Sequence, residues 1–360
     1  MSVKLLSSLA ITAALFSSCG KTSADSSKST SPTTAAAAVK VEIPEMYKTQ
    51  IKPLPSVMES ETNPITDEKV ALGRMLYFDT RFSKNHDLSC NSCHDLNKFG
   101  VDNQQFSSGH KKQLGGRNAP TVYNAALHLA QFWDGRAKDV EEQAKGPVLN
   151  PVEMAMPDAE MVLKVINSIP EYVEAFKKAF PGENPVNYDN FGNAIGAFER
   201  KLVTPSKFDK FAAGDENALT ADEKKGFIKF MEAGCFSCHN GPALGGNMYM
   251  KLGVVKAWPE LKDKGRSEIT KNDAEMYMFK VPSLRNIEKT GPYLHDGSVK
   301  DLNKMVSMMA EYQLGKTLSD EDVKSIVTFL KTLTGTPDAD YIKTPKLPES
   351  SATTPKADPN

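Results

Sequence analysis

Two pentapeptides carry the chemistry most readily read from this chain: Cys90-Asn91-Ser92-Cys93-His94 and Cys235-Phe236-Ser237-Cys238-His239. Each has the Cys-x-x-Cys-His spacing of c-type haem attachment. Two thiols so placed form thioethers with the two vinyl groups of one porphyrin, and the histidine beside them is pressed onto the iron as its proximal ligand. A zinc site made of two Cys-x-x-Cys pairs expects them about 15–20 residues apart, and Cys93 and Cys235 are separated by far more. A redox-active dithiol accounts for one such motif, not for two that are both followed by histidine. The chain has five cysteines. Four lie in the pentapeptides and the fifth is Cys19, so none remains for a structural disulfide. The reading is two covalently attached haem c groups, held by Cys90, Cys93, Cys235 and Cys238, with His94 and His239 on the irons.

The elements around the two motifs repeat. Thr66 is a helix cap with Asp67 and Glu68 in the first turn, and Val70, Leu72, Met75 and Leu76 follow. Thr220 and Glu223 form a capping-box pattern before the Phe227, Phe230, Met231 stripe, which Gly234 ends just before Cys235. Each half closes with an amphipathic helix. Phe191, Ile195, Phe198 and Leu202 mark the first; Val323, Ile326, Val327 and Leu330 mark the second, capped by Ser319. Strand signals are few. The expected fold is all-α with two cytochrome c-like haem domains, residues 41–204 and 205–345, followed by a tail over 346–360.

The N-terminus reads as a lipoprotein-type signal peptide over residues 1–19. Lys4 precedes the short apolar run Leu5 to Phe16, and Phe16-Ser17-Ser18-Cys19 resembles a relaxed lipoprotein cleavage box with Cys19 as the lipidated residue. Residues 20–40 are rich in Ser, Thr, Ala and Lys, a flexible low-complexity linker. The expected location is the periplasm, with a lipid anchor to the membrane. Haem c attachment outside the cytoplasm agrees with that. The chain of 360 residues has a formal net charge of −1, which argues against a bulk electrostatic grip on nucleic acid.

Six histidines are present, and those not proximal compete for the distal iron positions. His86 sits in the polar run Lys84-Asn85-His86-Asp87 and reads as solvated. His128 lies in the apolar Ala126-Leu127-His128-Leu129-Ala130 and reads as a core or supporting residue. His110, in a Gly-rich loop, could swing onto an iron and off again. For the second haem, Met305, Met308 and Met309 lie on one helical face. Such a stripe is commonly core; a thioether ligand from it would raise the reduction potential.

The segments Gly73-Arg74-Met75-Leu76-Tyr77-Phe78-Asp79, Arg117-Asn118-Ala119-Pro120-Thr121-Val122, Gln131-Phe132-Trp133-Asp134-Gly135-Arg136, Gln143-Ala144-Lys145-Gly146-Pro147, Pro282-Ser283-Leu284-Arg285-Asn286 and Gly291-Pro292-Tyr293-Leu294-His295-Asp296-Gly297 resemble the bacterial dihaem cytochrome c peroxidases. The likeness runs in order from about residue 60 to about residue 345. It implies reduction of hydrogen peroxide to water with electrons from a small periplasmic redox protein, a cytochrome c or a cupredoxin. It implies that the first haem is the low-potential peroxidatic centre, closed at rest by His110, and the second a high-potential electron store with Met309 as distal ligand. Glu153 matches the distal acid–base carboxylate, Gln143 a neighbouring polar group and Trp133 the tryptophan between the haems. Asn118, Thr290 and Pro292 match oxygen ligands of a calcium ion, and a homodimer is typical of the family. Two alternatives stay open: a dihaem oxidase acting on residues of a partner protein, in which a tyrosine such as Tyr312 would replace the methionine, and a non-enzymatic dihaem electron carrier.

Overall fold

The computed structural model describes residues 40–360. The signal segment, Cys19 and the linker through residue 39 lie outside the described residues. The helices run α1 Glu45–Lys48, α2 Asp67–Phe78, α3 Cys90–Cys93, α4 Val140–Leu149, α5 Ala159–Asn167, α6 Pro170–Ala179, α7 Tyr188–Glu199, α8 Lys207–Ala212, α9 Ala221–Ala233, α10 Ser267–Thr270, α11 Leu302–Leu314 and α12 Asp320–Lys331. The chain is therefore helical, with one exception to the all-α expectation. Tyr249–Lys251 (β1) and Met278–Lys280 (β2) pair antiparallel, Tyr249 opposite Lys280. Three residues per strand are too few for the two-residue period to show in a sequence.

The helix ends follow from their caps. The Thr66 hydroxyl accepts from the Lys69 amide at 3.2 Å. At α9, the Glu223 carboxylate accepts in return from the Thr220 amide at 2.9 Å. Ser319 accepts from the Asp322 amide at 3.1 Å. Each such cap contributes about 1 kcal/mol.

Two hydrophobic cores organise these helices. The first gathers Leu72, Leu76, Tyr77, Val162, Ile166, Tyr172, Phe176, Phe191, Ile195 and Phe198 from α2 and α5 to α7. The second gathers Phe208, Phe227, Phe230, Ile326, Phe329 and Leu330 from α8, α9 and α12. The same device joins both. A Cβ on Gly73 of α2 would stand 1.8 Å from the Ala194 carbonyl oxygen of α7. A Cβ on Gly226 of α9 would stand 2.1 Å from the Ser325 carbonyl oxygen of α12. In each core the helix before a haem motif crosses the closing helix backbone to backbone, at a point where only glycine fits.

Packing also crosses the expected boundary at both ends of the chain. Ile43 and Ile51, early in the described chain, fall in the second core, whereas Ile342 falls in the first. Residues beyond 342 then lie along the first core: Arg81 binds the Pro348 carbonyl at 2.9 Å, and the Asp358 amide donates to the Lys84 carbonyl at 2.8 Å.

Two candidate haem sites

The first pentapeptide forms α3. Its ends are closed by Ser89 and Ser92, the Ser89 amide donating to the Ser92 hydroxyl at 2.9 Å. The His94 amide donates to the Cys90 carbonyl at 3.0 Å. From α2, the Tyr77 hydroxyl donates to the His94 carbonyl at 2.7 Å. The second pentapeptide begins after Gly234, which ends α9 at φ 95°, and the His239 amide donates to the Cys235 carbonyl at 3.0 Å. Burial pushes the Cys93 and Cys235 thiols up to about 11 and the Cys90 thiol further. These are not the low-pKa thiolates of a redox dithiol.

Both histidines are suited to a metal. Burial pushes the His239 imidazole down to about 4, against main-chain groups of Leu244 and Pro282. His94 is lowered by the same cause, against Gly100 and Pro120. Neither Nδ1 closes a well-formed hydrogen bond, though both atoms are buried. A neutral imidazole is the form that ligates.

Around the second motif lies a cavity of about 220 Å³, lined by Cys235, Cys238 and His239 with Phe230, Leu284, Met305 and Met309. Its largely apolar wall and two thiols fit a haem. Met305 and Met309, four apart on α11, share this wall. Met308 does not line it and packs beside the Leu252 and Tyr293 cluster instead, so the expected three-methionine face reduces to two. Tyr312 turns elsewhere, its ring 5.0 Å from Trp258.

His110 and Glu153 are brought together through the backbone. The His110 amide donates to the Glu153 carbonyl at 2.8 Å. A Cβ on the preceding Gly109 would stand 2.0 Å from the Val152 carbonyl oxygen. His110 is buried. Burial raises the Glu153 carboxyl above the usual range, while Arg136 and the Asn150 side chain pull it back. Arg136 lies over the Phe132 ring, 3.4 Å from its centroid. Gln143 is half-buried on α4 and no hydrogen bond joins it to Glu153 among the described residues. His86, expected in solvent, is half-buried; burial lowers its pKa.

Trp133 sits in a pinned loop. Its indole donates to the Asn118 carbonyl at 2.9 Å, and its own carbonyl accepts from the Lys280 amide at 2.8 Å. The ring meets His295 edge-on, centroids 6.4 Å apart. Arg117 holds the neighbouring Asp134 and reaches Asp263 at 2.6 Å. Asn118, Thr290 and Pro292 line the same cavity. The Asn118 amide nitrogen is taken by the Gln104 carbonyl at 2.8 Å, and among the described residues nothing donates to its Oδ1. No group of three His, Cys, Asp or Glu that could hold a metal occurs among the described residues. A cation here would have to rely on amide and main-chain oxygens, donors that suit calcium.

Sequence reasoning missed Lys280. It is buried, and its Nζ lies 2.9 Å from His128 Nδ1. The signal available was a lysine inside the apolar run Met278-Phe279-Lys280-Val281.

Comparison with known proteins agrees with this geometry. The family described as di-haem cytochrome c peroxidase matches residues 67–217. The chain is 50% identical over 299 residues to the cytochrome c551 peroxidase of Nitrosomonas europaea, covering 82% of this chain and 88% of that protein. It is 48% identical over 314 residues to the cytochrome c551 peroxidase of Pseudomonas aeruginosa, covering 85% of this chain and 89% of that protein. The solved structure of a MauG-like protein associated with microbial copper homeostasis superposes with a TM-score of 0.69 at 27% identity, covering 82% of this chain and 96% of that one.

Proposed function

This chain belongs to the di-haem cytochrome c peroxidase family, and on that premise we propose that it reduces hydrogen peroxide to water through two unlike haem sites. Haem, when bound, supplies the iron at which the O–O bond is cleaved and the store of reducing electrons. Everything else is asked of the side chains. Cys90, Cys93 and His94 hold the first haem, and Cys235, Cys238 and His239 the second, in two cytochrome c-like domains of residues 41–204 and 205–345. His110 closes the first site at rest and Met309 completes the second.

Heterolysis of a peroxide needs a proton moved from the inner oxygen to the outer one, so that water leaves. A carboxyl whose pKa is lifted by burial is better suited to accept and return that proton. Glu153 is such a group, and its link to His110 is the observation that carries the reading. Gln143 adds a polar neighbour. Trp133, fixed by Asn118 and Lys280, lies on the route for electrons between the sites. Asn118, Thr290 and Pro292 hold calcium. The donor is a small cytochrome c or cupredoxin, the enzyme acts as a periplasmic homodimer, and lipid on Cys19 anchors it. Among the described residues no helix is long and apolar enough to cross a membrane.

The oxidase alternative would need Tyr312 facing the second haem; that Met309 lines the cavity while the Tyr312 ring lies against Trp258 supports the peroxidase reading. The carrier alternative would need no Glu153. Steady-state turnover with peroxide and a reduced donor separates them. Glu153→Ala should lose most peroxidase turnover with both haem spectra intact; unchanged turnover rejects the role of Glu153.

A further inference from the structure

The cavity beside Cys235 and Cys238 has a largely apolar wall, and His128 and Lys280 line it side by side. Lys280 comes from β2, and among the described residues its ammonium has one hydrogen-bond partner, His128 Nδ1 at 2.9 Å. The residue is 5% exposed. On the far side of the ring, His128 Nε2 is buried with no partner. The ring cannot retreat, because Gly246 backs onto it: a Cβ there would stand 2.1 Å from the ring. Among the described residues no carboxylate forms an ion pair with Lys280. Asp134, which acts on it through space, is already held by Arg117 and Arg136.

A buried ammonium costs several kcal/mol unless an anion matches it, and an imidazole is no match. Burial accordingly pushes Lys280 down to about 7 and His128 well below its usual range. The cluster is thus incomplete without a negative group arriving from the cavity side. The haem that Cys235 and Cys238 hold carries two propionate carboxylates on the edge opposite its vinyl groups. We infer that Lys280, backed by His128, is the seat of a propionate carboxylate of the second haem. The carboxylate keeps the ammonium charged, and the ammonium in turn favours the reduced, less positive iron. Because the Lys280 amide is also bonded to the Trp133 carbonyl, the same residue ties that haem edge to the loop between the two sites.

The inference rests on the two-haem reading, and the test keeps the two apart. Mature wild-type protein, Lys280→Met and Lys280→Arg are titrated potentiometrically after mass spectrometry has counted the haem adducts. Lys280→Met should make reduction of the second haem at least tenfold less favourable, which is 59 mV for one electron. The first haem should not move, and Lys280→Arg should stay near wild type. Two haems with an unmoved second midpoint in Lys280→Met overturn the inference alone; a wild-type chain with one haem overturns the haem reading as well. A second midpoint that varies with added acetate would mean that a free anion occupies the seat, against the inference. Should Lys280→Met fail to mature, resonance Raman of the second haem in wild type and Lys280→Arg decides. A propionate bending band in the hydrogen-bonded position that differs between them supports the seat, and an unperturbed band overturns it.

Discussion

The two haem sites start from the same Cys-x-x-Cys-His spacing and the same crossing of helices, yet their surroundings differ in kind. Beside His239, one long helix, α11, sends Met305 and Met309 into the wall of the cavity. The residues proposed for the first site come from loops. His110 is followed by Lys111 and Lys112, both with positive φ, and is tied by one backbone bond to the turn carrying Glu153. A helix face keeps its ligand in place. A loop can rearrange locally at lower cost than a packed helix. The contrast suits a site that opens and handles protons, paired with one that holds an electron and stays shut.

The largest expected effect falls on the proton-handling side. A positioned acid–base group contributes roughly 10²–10⁴ in rate, so Glu153→Ala should lower kcat by that order in the steady-state assay. Glu153→Gln should do the same while preserving shape; retained activity in Glu153→Gln would remove proton transfer from the role of Glu153. On the other side, Met309→His should lower the second midpoint by about tenfold in equilibrium or more, since a thioether ligand raises the potential. An unmoved midpoint would reassign the ligand, with Met305 next on the same wall.

The shared half of the comparison is tested by Gly226→Val. A side chain there meets the α12 backbone, and overpacking of this kind costs about 1–3 kcal/mol. Urea unfolding should report that loss, and wild-type stability would show that the crossing relaxes freely.

A smaller effect is pH-dependent and confined to the first core. Glu199 is buried beside Glu141, and burial with that neighbour raises its carboxyl to about 8. The folded state therefore keeps a proton that the unfolded chain releases near 4.5. The stability this gives is full below about pH 4.5 and is lost as pH rises towards 8. Glu199→Gln should flatten the fall in stability between pH 5 and pH 8, read from thermal melts at both. A slope equal to wild type would place the titration elsewhere.

Much of this was legible because it is local. The pentapeptides, the Thr66, Thr220 and Ser319 caps and the methionine positions on α11 are set by residues within a few places of each other. What was illegible is tertiary. The placement of Met305 and Met309 in the cavity, with Met308 outside it, depends on where α11 lies. Lys280 reads as an ordinary lysine until β1, His128 and the Trp133 loop close over it. The packing of Ile43 and Ile51 on the second core rather than the first follows from no periodicity in their neighbourhood. The expectation of calcium at Asn118, Thr290 and Pro292 comes from family likeness, since carbonyl donors carry no side-chain signature.

The inequality of the two sites is tested most directly by one potentiometric titration of the mature protein, followed by the absorbance of both haems. Two one-electron steps well apart, the upper one belonging to the haem on Cys235 and Cys238, are the expected result. A single step in which both haems fill together would contradict it.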